Sequence, residues 1–114
     1  MNQVTIMGRL TRDPDIRHTT EGKKTASFAL AVERQYSKTT DFVPCIAWEK
    51  KADFAENYLR RGMKVLIVGE LHIRSYEKNG EKRIAPEVVV DKTYFCESKK
   101  DGYEDLADDL ELPF

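Results

Sequence analysis

The chain has 114 residues, of which 40% are hydrophobic and 34% charged, the size and wetness of one soluble domain with a single modest core. No apolar run reaches membrane-span length and Met1-Asn2-Gln3-Val4 lacks signal-peptide character, so a cytoplasmic location is expected. Cys45, Cys96, His18 and His72 stand at no metal-ligand spacing. The sequence also holds no phosphate loop, nucleophile elbow, HExxH-type motif or carboxylate pair, so no metal, cofactor or catalysis is expected.

The net charge of −1 hides a segregation. Asp101, Glu104, Asp105, Asp108, Asp109 and Glu111 occupy a last stretch without Lys or Arg, which leaves residues 1–100 with 19 basic and 14 acidic groups, a net of +5. A basic body joined to an acidic tail suits a protein that handles polyanions.

In chain order, Gln3–Leu10 alternates, with Val4, Ile6 and Leu10 on one side and Thr5, Met7 and Arg9 on the other. Gly8 falls on the apolar side, where another backbone can approach. Asp13-Pro14-Asp15 is turn chemistry, and Ile16–Thr20 reads as a short extended piece before Glu21-Gly22. A second strand is expected from about Lys24 to Tyr36, with Phe28, Leu30 and Val32 inward and Tyr36 stranded beyond its apolar part.

Asp41–Trp48 organises the rest. Alternation puts Val43, Cys45 and Ala47 on a small, smooth face suited to a barrel interior, and Phe42, Pro44, Ile46 and Trp48 on the other. Lys50–Arg61 is the one convincing helix, a plug with Ala52, Ala55 and Leu59 as its stripe, widened by Phe54 and Tyr58, and with Gly62 as its cap. Lys64–Tyr76 keeps Val65, Ile67, Leu71 and Ile73 on one side, while the other changes from Leu66 and Val68 to Glu70, His72, Arg74 and Tyr76. That change predicts a strand leaving a barrel to become one arm of a projecting hairpin, closed by the type I′ signal Asn79-Gly80. Pro86–Phe95 is the returning strand.

Five strands with a helix between the third and fourth predict an all-β domain with one helix, the five-stranded Greek-key barrel called the OB-fold. The domain is expected to span residues 1–97. Residues 98–114 have too little apolar content to fold alone and are expected to form a disordered acidic tail.

Tyr36, Phe42, Trp48 and Tyr76 stand where burial does not account for all of them, interleaved with Arg9, Arg34, Lys50, Lys51, Arg74, Lys82 and Arg83. Rings that stack on bases and cations that follow phosphates are what a single-stranded nucleic acid requires. The run Val4-Thr5-Ile6-Met7-Gly8-Arg9-Leu10-Thr11-Arg12-Asp13-Pro14-Asp15-Ile16-Arg17, then Asp41-Phe42, Trp48, Tyr58-Leu59-Arg60-Arg61-Gly62, Gly69-Glu70-Leu71 and Glu87-Val88-Val89-Val90, resembles the bacterial and phage single-stranded DNA-binding proteins in order and spacing.

The resemblance implies that Tyr36, Phe42, Trp48 and Tyr76 are stacking residues in replication, repair and recombination. It also implies a nucleoid-associated homotetramer, or at least a dimer built through the first strand. Asp108-Asp109-Leu110-Glu111-Leu112-Pro113-Phe114 resembles the family's tip, which recruits DNA-processing enzymes, although the long linker usual before it is absent. An OB-fold module for RNA or for a primosome-like assembly, and a protein scaffold without nucleic acid, are the competing readings; matched DNA and RNA strands separate the first, and salt-sensitive binding excludes the second.

Overall fold

A computed structural model of the chain describes residues 1–97; the expected tail and its tip, Asp108 to Phe114, lie outside the described residues. Seven elements follow one another: β1 (Val4–Leu10), β2 (Asp15–His18), β3 (Lys24–Glu33), β4 (Thr40–Trp48), α1 (Lys50–Tyr58), β5 (Lys64–Lys78) and β6 (Glu81–Phe95).

The sheet runs β1-β5-β6-β4-β3-β2, and β1 also pairs with β3 through Arg9↔Ala31 and Leu10↔Leu30. That second pairing closes β1, β3, β4, β6 and β5 into a barrel, with β4 and β6 parallel and the other neighbours antiparallel. This is the five-stranded OB-fold barrel expected from the sequence. The short extended piece before Glu21-Gly22 is a sixth strand, β2, added outside the barrel on β3.

The inward positions are those the alternation predicts. Leu10, Phe28, Leu30, Cys45, Ala47, Val65, Ile67, Val88 and Val90 are buried together with Ala52, Ala55 and Leu59 from the helix region. Small residues on β4 allow tight curvature, while Gly8 lets β1 lie against the Ala31 carbonyl. Pro44 and Pro86 lie just before the two-residue parallel contact Cys45↔Val88 and Ile46↔Val89, where the ladder between β4 and β6 asks for no donor.

Two boundaries move inward from their expected places. β3 stops at Glu33 because the Arg34 amide closes the β3–β4 loop on the Thr39 carbonyl, which leaves Tyr36 in the loop rather than on the strand. The helix stops at Tyr58 because Leu59 turns extended (φ −95°, ψ 134°) and buries its side chain. Arg60 then donates to the carbonyls of Glu56 and Leu59. Tyr58, expected to widen the apolar stripe, is exposed, while Phe54 packs against the core.

β5 leaves the barrel at a bulge between Val68 and Gly69. Beyond it residues 70–84 are all exposed, and Asn79 (φ 55°) and Gly80 (φ 79°) make the turn. The returning strand therefore begins at Glu81, earlier than the expected Pro86, because β6 stays paired to β5 along the whole arm.

Candidate nucleic-acid interface

Strand register decides which side chains share a surface. Residues directly opposite one another face the same way, and so do alternate residues on one strand. The row Glu70–Val89–Ile46–Ser27–Asp15 crosses β5, β6, β4, β3 and β2, and none of its members is among the buried core residues. Stepping by two from this row places Phe42 and Trp48 on β4, His72, Arg74 and Tyr76 on β5, and Glu87, Ala85 and Arg83 on β6 on one outer face.

Arg9 joins the same face through the row Lys64–Arg9–Ala31–Phe42. Lys82, opposite Glu77, points to the other face of the arm, away from Tyr76 and Arg83. Lys50 and Lys51 open α1, two and three residues after Trp48.

The rings are available. Tyr36 is 92% exposed, Phe42 67%, Tyr76 43% and Trp48 37%. Among the described residues the paired rings are Phe54 with Tyr58 and Phe54 with Phe95, so none of these four has its face covered by another aromatic. These exposures rule out burial as core for Phe42 and leave about a third of Trp48 open to solvent.

The cations fall into two groups. Arg34 donates two bonds of 3.0 Å to Asp41, Arg9 grips Glu97 at 2.5 and 2.7 Å, Lys51 holds Asp91 at 2.9 Å and Arg83 reaches Glu81 at 3.4 Å. The hydrogen bond from Arg34 holds the Asp41 carboxyl below the usual carboxylate range, and Arg9 and Lys51 do the same to Glu97 and Asp91. Lys50, Arg74 and Lys82 make no ion pair among the described residues.

Two features escape the sequence reading. Carboxylates stand on the outer face itself: Glu70 Oε1 accepts from His72 Nε2 at 3.0 Å, and Glu87 lies opposite His72. Arg17 stands on β2 in the row Arg17–Thr25–Trp48; the alternation of Asp15, Ile16 and Arg17 carried the signal, too briefly to mark a strand.

What such a face can do is hold an extended, flexible polyanion whose flat groups find rings and whose charges find guanidinium and ammonium groups. The known proteins similar to this chain fit that chemistry. The model of the single-strand binding protein family matches residues 1–96. The single-stranded DNA-binding protein 2 of Listeria monocytogenes serovar 1/2a is 38% identical over 110 residues, covering 91% of this chain and 69% of the relative. The single-stranded DNA-binding protein of Bacillus cereus is 38% identical over 110 residues (91% and 65%), and that of Clostridium tetani is 41% identical over 103 residues (85% and 71%). The chain spans about two thirds of the length of the curated relatives it matches. Their names are those of binding proteins and not of enzymes, in agreement with a sequence that carries no catalytic motif. With 96 residues matched by the family model and relatives at this identity, the chain belongs to the single-strand binding protein family.

Proposed function

We propose that this chain binds and protects single-stranded DNA without sequence preference, in replication, repair and recombination. The observation that carries the reading is the shared outer face: Phe42, Trp48, Tyr76, Arg74 and Arg83 lie on one continuous surface with their rings exposed, in a chain of this family. Each base stacked on a ring contributes about 1–3 kcal/mol, so a few platforms give useful affinity once several nucleotides are engaged. Tyr36, at the tip of the β3–β4 loop, extends the set, and Arg9, Arg34, Lys50 and Lys51 supply further phosphate contacts, with Lys82 meeting the strand where it passes round the arm to its other face.

The working form in this reading is a homotetramer, or at least a dimer through β1. Apolar side chains exposed away from the ring strip support it: Met7 and Tyr94 flank Leu66 on the outer side of β1, β5 and β6, and Leu71, Ile73 and Ile84 line the far face of the arm. Residues 1–97 form the binding domain, and residues 98–114 an acidic tail whose tip, Asp108 to Phe114, docks replication, repair and recombination enzymes. The protein works in the cytoplasm at the nucleoid; among the described residues no helix is long and apolar enough to cross a membrane.

The test is a fluorescence titration with poly(dT) at two salt concentrations, exciting Trp48, the single tryptophan. Strong quenching with affinity that falls as salt rises is the expected result. Binding without quenching returns Trp48 to a structural role, and no binding at either salt refutes the proposal.

A further inference from the structure

Strand β2 does nothing for barrel closure, which β1 and β3 achieve through Arg9↔Ala31 and Leu10↔Leu30. Of its four residues Ile16 alone packs against the core cluster, and Asp15, Arg17 and His18 are exposed. Its effect is to widen the outer face by one strand beside Trp48. Arg17 pairs with Thr25 and Thr25 with Trp48, so the guanidinium and the indole stand in one row. Two strand spacings separate their Cα atoms, about 10 Å. Thr25 between them is 7% exposed and adds no bulk to the surface.

Ile16 on the core side fixes the parity of β2, and a slip of one residue would expose it and turn Arg17 inward. The Arg17 side chain is 78% exposed, and among the described residues the one anion it meets is Asp15, two residues away on the same strand, at 2.9 Å. A pair this open to water has little net worth and exchanges readily for a phosphate.

We infer that Arg17 is a nucleic-acid contact and that β2 carries the bound strand past Trp48 to the edge of the sheet. The inference rests on the single-strand binding proposed above and adds a binding residue outside the ring strip. A nucleotide stacked on Trp48 places its neighbouring phosphate over Thr25, where Arg17 closes on it with two parallel N–H donors, Asp15 being released to water.

The experiment is poly(dT) titration of the full chain and its variants at low salt, with thermal unfolding as the check on folding. Arg17→Ala is expected to weaken binding about tenfold, the scale of one charged hydrogen-bonded contact, without a change in melting temperature. Arg12→Ala, which removes the same charge from the loop ahead of β2 and off the row, is expected to change affinity less than about twofold. Arg17→Lys should recover most of the loss. Asp15→Asn should tighten binding only while Arg17 is present, a coupling that a general loss of negative charge does not produce. Equal effects of Arg17→Ala and Arg12→Ala, or tightening by Asp15→Asn in the Arg17→Ala background, overturn the inference while the parent protein still binds. Failure of the parent protein to bind overturns it together with the reading beneath it.

Discussion

Gly69 is where the barrel becomes an arm, and replacing it with alanine tests that geometry directly. A Cβ at this position would stand 3.0 Å from the Val89 carbonyl carbon and 3.1 Å from Val88 Cγ1, nearer still to the Val89 oxygen. Carbon pairs settle at about 3.5–4.0 Å, so β5 and β6 must part by about half an ångström or more at the bulge. Val88 is 2% exposed, so the neighbour cannot swing into open space. Overpacking of this kind costs about 1–3 kcal/mol. Two weakened ladder hydrogen bonds add about 1 kcal/mol each, for a total of about 3–5 kcal/mol.

A domain of this size holds about 5–15 kcal/mol in all, and each kcal/mol moves the melting temperature by about 4–8 °C. Gly69→Ala should therefore melt about 20 °C below the parent protein by circular dichroism. The comparison is Gly62→Ala. Gly62 has φ +86° and nothing within 4 Å of its missing Cβ, so alanine there meets only the left-handed penalty of about 1–2 kcal/mol. In Gly69→Ala single-strand affinity should fall with stability, since Arg74 and Tyr76 ride on the displaced arm. A Gly69→Ala protein that melts within about 3 °C of the parent, or above Gly62→Ala, refutes the reasoning.

Two more predictions concern titration and thiol chemistry. Asp41, Asp91 and Glu97 are held below their ordinary pKa by Arg34, Lys51 and Arg9. Their contribution is complete above the unfolded values of about 4 and is lost as pH falls through the lower folded values, so urea midpoints should drop below about pH 4 and less steeply in high salt; midpoints that rise on acidification contradict the pairing. Burial pushes the Cys45 thiol up to about 12, whereas Cys96 is only partly buried. An alkylating agent should therefore label Cys96 first and reach Cys45 only on unfolding, and equal labelling rates by mass spectrometry would show that β4 opens in the native protein.

Most of the fold is written in short-range pattern. The alternation of Val43, Cys45 and Ala47 against Phe42, Pro44, Ile46 and Trp48 gives both faces of β4, and the observed burial follows it. The change from Leu66 and Val68 to Glu70 and His72 marks the place where β5 leaves the barrel. β2 is legible only as a short extended piece and not as a counted strand, because four residues with a single apolar member carry too little period to separate a strand from a loop. The helix end escapes because Leu59 answers to the barrel and not to helix propensity.

The site is legible by residue type and illegible by pairing. Nothing local joins Arg9 to Glu97, 88 positions away, or Lys51 to Asp91, 40 positions away. Only the closed barrel brings these partners together, and only the β5–β6 register decides that Arg83, and not its neighbour Lys82, shares the face of Tyr76.

Those pairings fix how binding should respond to salt. A free cation that meets a phosphate on a single strand releases about 0.7 counterion. A cation already held by a carboxylate must first leave it, and the freed anion gathers ions that offset the release. Seven free cations would give a slope of log affinity against log salt near about −5, and three near about −2. Arg9, Arg34, Lys51 and Arg83 are engaged with acids, while Lys50, Arg74 and Lys82 make no ion pair among the described residues, which places the expected slope per chain near about −2. Asp41→Asn transfers Arg34 from the engaged group to the free one, so it should steepen the slope and tighten binding several-fold at low salt. Poly(dT) titrations of both proteins across a salt series measure this. A parent slope near about −5, or weaker binding by Asp41→Asn, would mean that the carboxylates aim the cations at the strand instead of competing with it.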